Sequence, residues 1–178
     1  TKEFASLMGI TNLRPVQWFQ ETTDRMINFQ NGVLHIDTQE FLEHDPKRGF
    51  KYTLPYEYKK GADCPIFKKM LDRVTLGDKD VQSILLEFMG YSLSHDKNWA
   101  QKALVLEGGG SNGKSTFTDV LKLLAGEDNY SALSVPEIKR SEYNRQLLDG
   151  KLFNVCEETP TTSMLESDIF KTLIAGGE

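Results

Sequence analysis

Apolar positions change their spacing along this chain, and the changes mark its elements. Between residues 26 and 54 the runs are short. Met26-Ile27-Asn28-Phe29 and Val33-Leu34-His35-Ile36 flank Asn31-Gly32, the commonest type I′ hairpin dipeptide. Asp37-Thr38 makes a second turn and Phe41-Leu42 begins a third strand. Phe50-Lys51-Tyr52-Thr53-Leu54 then alternates as far as Pro55. The pattern predicts an antiparallel meander through residues 26–54. From Pro65 the period becomes helical, with Ile66, Phe67, Met70, Leu71 and Val74 on one face. Gly77-Asp78 interrupts it. Asp78 or Asp80 caps a second helix that carries Val81, Ile84, Leu85, Phe88, Met89 and Leu93. Residues 1–25 predict only weak helical or irregular structure.

The second half has a different rhythm. Lys102-Ala103-Leu104-Val105-Leu106-Glu107 is an apolar run of strand length, and Phe117, Val120, Leu121, Leu123 and Leu124 recur at helical spacing after it. Gly126 stops that helix. Residues 131–135 read as a short strand, and Glu142 to Leu148 as a helix. Asp149-Gly150 turns into Lys151-Leu152-Phe153-Asn154-Val155-Cys156, a mostly apolar run that ends at Glu157-Glu158. A capped helix from Ser167 closes at Gly176-Gly177.

Charge and cysteine usage narrow the class. The net charge is −5, and residues 1–100 carry 13 basic against 14 acidic side chains, residues 101–178 only 8 against 12. Neither part is a basic nucleic-acid-binding surface in bulk, so any DNA contact is local or lies outside this sequence. No run has the length of a membrane span and no signal peptide opens the chain, which predicts a cytoplasmic protein with no membrane partner. Cys64 and Cys156 lack metal-ligand spacing and read as reduced, buried thiols. His35, His44 and His95 are scattered, and His35 reads as structural. A start without methionine and a stop just after Gly-Gly suggest a fragment of something longer.

The chemistry concentrates between the run at 102–107 and the helix that follows. Gly108-Gly109-Gly110-Ser111-Asn112-Gly113-Lys114-Ser115-Thr116 satisfies G-x-x-x-x-G-K-[ST], the phosphate-binding Walker A pattern, in a strand–loop–helix context. Glycines let the backbone curl so that its N–H groups point at a phosphate over a helix N-terminus. Lys114 is expected to reach the β- and γ-phosphates and Ser115 to bind Mg²⁺, while Asn112 tolerates a left-handed backbone. The run ending at Glu157-Glu158 has the form of a Walker B strand, whose tip brings acids beside the phosphate loop. Glu157 is expected to organise Mg²⁺ with Ser115, and Glu158 to activate water as a general base. The two roles can be exchanged, because sequence does not fix the strand register. From Lys114 to Glu157 is 43 residues, compact for such a core.

These residues carry a family resemblance. Gly108 to Thr116 resembles the Walker A of the phage and plasmid primase–helicases, which include the poxvirus-type proteins and belong to helicase superfamily 3. Asn31 to Asp37 is similar to that family's Asn-Gly-Val-Leu-Asp-Leu stretch, with His35 where an acid is more usual. Asp63-Cys64-Pro65-Ile66-Phe67 resembles its Cys-Pro-x-Phe helix start, and Gln82 to Leu93 its helix ending in Gly-Tyr-x-Leu. Asp149-Gly150-Lys151-Leu152 before Glu157-Glu158 resembles its Walker B approach, and Phe170 to Glu178 the start of its B-prime motif. The resemblance implies an α/β fold: an AAA-like P-loop NTPase core with a parallel sheet over residues 101–178, truncated at its end. A smaller, mostly helical accessory domain with an N-terminal β-meander would precede it over residues 1–100, its meander at 26–54 and helices at 65–93. It implies an ATP·Mg²⁺-driven helicase on single-stranded DNA, acting as a homo-hexamer in a bacterial or phage-infected cell. The sensor asparagine, pore hairpin and arginine finger of that family would lie past Glu178. Two rivals remain: a nucleotide-gated ring-assembly module without catalysis, and a small-molecule kinase, which would need more arginines than the Arg140 and Arg145 that follow the loop.

Overall fold

The computed structural model describes residues 25–94, 100–157 and 168–175. The meander forms as β1 (Met26–Phe29), β2 (Gly32–His35) and β3 (Phe41–Leu42), antiparallel in the order β1-β2-β3. The hairpin turn sits one residue earlier than expected. Phe29 pairs with Gly32, so Gln30 and Asn31 make the turn, and neither has a positive φ. Gly32 opens β2 instead of closing the turn. A Cβ there would lie 2.6 Å from the Leu42 carbonyl oxygen and 2.7 Å from the Phe41 ring, so the closeness of β3 requires glycine. Asn31 serves another purpose: its carboxamide donates to Tyr58 O at 3.1 Å and accepts from Tyr58 N at 2.8 Å.

The expected strand at 50–54 is an extended arm beside β1. Leu54 N donates to Asn28 O at 2.9 Å and Gln30 N to Tyr56 O at 3.1 Å. Pro55 lies between these bonds and has no N–H to give, which stops the ladder. Side chains secure the arm instead. Asn28 Nδ2 donates to Tyr52 O at 2.7 Å, and the buried Tyr52 hydroxyl donates to Leu93 O at 3.0 Å while accepting from Asn28 N at 3.3 Å. Burial pushes that hydroxyl's pKa well above the ordinary tyrosine value, so it stays a neutral donor. Replacing Tyr52 by Phe should therefore destabilise the fold by about 1–2 kcal/mol, since two buried backbone groups lose their partner. Urea unfolding of the two forms measures this, and a difference near zero would place water at Leu93 O.

Helices α1 (Pro65–Val74) and α2 (Lys79–Leu93) form as the spacing predicts. Pro65 sits in the first turn of α1, and Asp78 caps α2 by accepting from the N–H groups of Asp80 and Val81. The apolar face of α2 is only partly buried: Leu85, Met89 and Leu93 face the core, whereas Ile84 is 57% exposed. Cys64 at the head of α1 is exposed and Cys156 is only half-buried, so neither is the buried thiol expected.

Residues 102–107 form no strand. The segment alternates, with Leu104 and Leu106 packed on the core and Val105 outward, but among the described residues no neighbouring strand hydrogen-bonds to it. The two strands of the second half pair with each other: β5 (Phe153–Asn154) runs parallel to β4 (Tyr130–Ser131), in the register Tyr130↔Phe153. The strand expected at 131–135 is thus confined to its beginning. From Val135 the chain is helical, because Ser134 and Glu137 close a capping box over the first turn. Between β4 and β5 lie α4 (Val135–Arg140) and α5 (Glu142–Gln146); α3 (Lys114–Ala125) precedes them and α6 (Asp168–Ala175) follows. Ile27, Phe29, Leu34, Leu54, Leu71, Leu85 and Met89 share one buried cluster with Phe117, Leu121, Ala125 and Leu152. That cluster fixes α3, and so the loop at its head, against the meander and both N-terminal helices.

Candidate functional site

The loop before α3 is built from backbone conformations that few residues adopt. Ser111 has φ +59° and Gly113 φ +85°, both left-handed, while Asn112 between them does not. The left-handed position expected at Asn112 therefore belongs to its neighbours. Asn112 contributes through its side chain. Lys114 Nζ donates to Gly108 O at 2.8 Å, to Gly109 O at 3.1 Å and to Asn112 Oδ1 at 2.8 Å. Gly108, Gly109, Asn112 and Lys114 are thus drawn into one ring, with Ser111 at its turn. Added Cβ atoms at Gly109 and Gly110 would meet nothing within 4 Å, so the mouth of the loop is open there.

The loop feeds α3, a helix of 12 residues whose first turn has no side-chain cap. Its leading N–H groups and the positive end of its dipole face the loop, an arrangement suited to an anion. Ser115 and Thr116 lie in that first turn and are exposed. A phosphate chain with Mg²⁺ fits this donor set: a cradle of glycine backbone, one ammonium, the hydroxyls of Ser111, Ser115 and Thr116, and no acidic side chain within the loop. Gly113 is fixed from the other side, since a Cβ on it would lie 2.5 Å from Val74 Cγ1 at the end of α1.

The acidic end of β5 lies further along the same helix. Glu157 pairs with Lys122 at 2.5 Å, and Asp119 lies 3.7 Å from the same ammonium. The Lys122 hydrogen bond holds the Glu157 carboxyl below its usual pKa, and the Glu157 bond in turn raises that of Lys122. Lys122 is seven residues beyond Ser115, about 10 Å of helical rise. No described hydrogen bond joins Glu157 to Lys114 or Ser115. Glu158 lies outside the described residues. Sequence reasoning missed Lys122, although Ser115, Asp119 and Lys122 at i, i+4 and i+7 share one face of α3.

A cavity of about 370 Å³ lies at the opposite end of α3, between the arm at Phe50–Pro55 and the turn Glu127–Asn129. Its one lysine, Lys51, is paired with Asp149 at 3.0 Å. It gathers no chemistry comparable to the loop.

Comparison with known families matches two separate stretches of the chain. Residues 7–76 match the family model described as D5 N terminal like. This part resembles the D5 N-terminal domain. That domain is an N-terminal domain of phage and plasmid primase–helicase proteins. The D5-like region takes in β1 to β3 and α1, and ends just past Val74. Residues 106–178 match a family of unknown function, DUF5906. That match takes in the whole Gly108–Thr116 loop, β4, β5 and the Glu157-Glu158 pair. Helix α2 falls between the two matches. Among the described residues no helix is long and apolar enough to cross a membrane.

Proposed function

We propose that this chain is part of a phage or plasmid primase–helicase, and that the Gly108–Thr116 loop binds ATP·Mg²⁺ to drive movement along single-stranded DNA. The observation that carries the reading is Lys114, held at the mouth of a glycine loop with Ser111 and Gly113 left-handed, above the uncapped start of α3. Backbone N–H groups of Gly109 to Lys114 would hold the phosphates, Lys114 would neutralise their charge, and the Ser115 hydroxyl would take the metal. Mg²⁺ supplies charge neutralisation across the phosphate oxygens. Glu157 and Glu158 complete the set, one toward the metal and one toward the attacking water. The D5-like match at residues 7–76 supports the replicative context, and the core would be of the AAA-like α/β class, assembling as a homo-hexamer.

One observation favours a second reading, a nucleotide-gated assembly module without turnover: Glu157 is engaged by Lys122, away from Ser115. Steady-state ATP hydrolysis by the whole primase–helicase of which this chain is proposed to be part, with and without single-stranded DNA, separates the two; residues 1–178 alone are expected to turn over ATP hardly at all. Turnover stimulated by DNA is expected and abolished in Lys114→Ala. Tight ATP binding with no hydrolysis under either condition would select the assembly module, and phosphorylation of a small acceptor would point to a kinase.

A further inference from the structure

A lysine ammonium has three N–H donors, and in this loop each has an acceptor: Gly108 O, Gly109 O and Asn112 Oδ1. The first two acceptors are backbone and move only if the loop moves. The third is a side-chain carboxamide on an exposed residue, free to turn about its own χ angles. The other end of that carboxamide lies over Gly108, where an added Cβ would be 2.2 Å from Asn112 Nδ2. Asn112 thus spans the loop from its base to its lysine, and glycine at 108 makes room for it.

We propose that Asn112 is a positioning residue whose carboxamide oxygen takes the place on Lys114 that a nucleotide phosphate oxygen must claim. The proposal rests on the phosphate-binding reading of the loop and adds what sets its affinity. A phosphate oxygen carries a full negative charge and so makes a stronger hydrogen bond to the ammonium than a neutral amide oxygen does. Phosphate therefore displaces Asn112, but only the difference between the two bonds appears as affinity. A neutral hydroxyl offers no such advantage and leaves Asn112 in place. In this way the residue makes the loop answer to anionic oxygens. A carboxylate at the same position would not yield, because it would match the phosphate's charge.

The two substitutions at this position should act in opposite directions. Asn112→Ala removes the competing acceptor, and the backbone there is not left-handed, so alanine is accommodated. ATP·Mg²⁺ should bind it about 3–10-fold more tightly than it binds the parent, the net worth of one solvent-exposed hydrogen bond from the ammonium. Asn112→Asp should bind at least about tenfold more weakly. In the parent, the Asn112 side-chain amide signals in a nitrogen-resolved NMR spectrum should shift on adding ATP·Mg²⁺, and in Lys114→Ala they should not. Calorimetric titration of the four forms, with these spectra, is the test. If the parent binds and Lys114→Ala does not, yet Asn112→Ala binds equally or more weakly, the role given to Asn112 is wrong and the phosphate-binding reading survives. If the parent itself does not bind ATP·Mg²⁺, both fall together.

Discussion

Lys114→Ala should lose most of the chain's affinity for ATP·Mg²⁺, on the order of a hundredfold, while its thermal unfolding shifts little. The loss follows from charge. Each hydrogen bond from an ammonium to a phosphate oxygen is worth about 1.5–3 kcal/mol, and alanine removes them all. The loop backbone and the start of α3 remain, so some affinity from N–H groups persists. The small effect on folding has a separate cause. Among the described residues the Lys114 ammonium bonds to Gly108 O, Gly109 O and Asn112 Oδ1, all on exposed residues that water reaches once the ammonium is gone. A surface change of this sort stays within about 1 kcal/mol. Titration calorimetry beside a melting curve separates the two effects. Equal affinity in mutant and parent would remove the loop from consideration as a phosphate site. A large drop in melting temperature would mean that the lysine holds the fold together.

Local chemistry was the legible part of this chain. The helices at 65 and 79 were readable because proline, an aspartate cap and a 3.6-residue period agree there. The phosphate-loop pattern was readable because its residue types are dictated by backbone conformation, and the structure puts left-handed φ at Ser111 and Gly113 within it. What failed depended on distant neighbours. The run at 102–107 has the composition and alternation of a strand, yet a strand exists only where a second backbone meets it, and β5 meets β4. The hairpin turn slipped by one residue because Gly32 answers to the crowding of Phe41 and Leu42, not to turn geometry. Apolar spacing placed Val81 and Ile84 on an inward face of α2, but the core reaches only the side that carries Leu85 and Met89.

The candidate site divides in the same way. The half proposed to bind phosphate lies within nine consecutive residues, so the pattern is complete in the sequence itself. Its acidic half depends on how β5 lies against α3, which is a tertiary relation. The apolar run at 151–156 correctly announced a strand pairing in parallel, but only Phe153 and Asn154 pair. Beyond them the chain turns toward Lys122 in the third turn of α3. A motif of two acids after an apolar run carries no information about that lysine, whereas the helical face through Ser115, Asp119 and Lys122 does.

The contact between Val74 and Gly113 yields the second large effect, because it joins the D5-like region to the loop. Gly113→Ala should destabilise the protein by about 2–4 kcal/mol and weaken ATP·Mg²⁺ binding together with it. Two costs combine. A left-handed backbone at φ +85° costs an L-residue about 1–2 kcal/mol, and this part stays local to the loop. The second cost is steric: the new methyl would stand 2.5 Å from Val74 Cγ1 and 3.4 Å from Val74 Cβ. Valine is stiff about χ1, so its methyl cannot swing away cheaply, and either the end of α1 or the start of α3 must move. Val74→Ala alone should cost about 1–1.5 kcal/mol for lost burial of a half-buried side chain. In the double variant the steric part disappears while the backbone part remains. It should be more stable than the two single changes predict by about 1–3 kcal/mol, with part of the nucleotide affinity restored. Urea unfolding and calorimetric titration of the four forms complete the cycle. Strict additivity would mean that α1 does not support the loop, and that the phosphate site takes its shape from residues 106–178 alone.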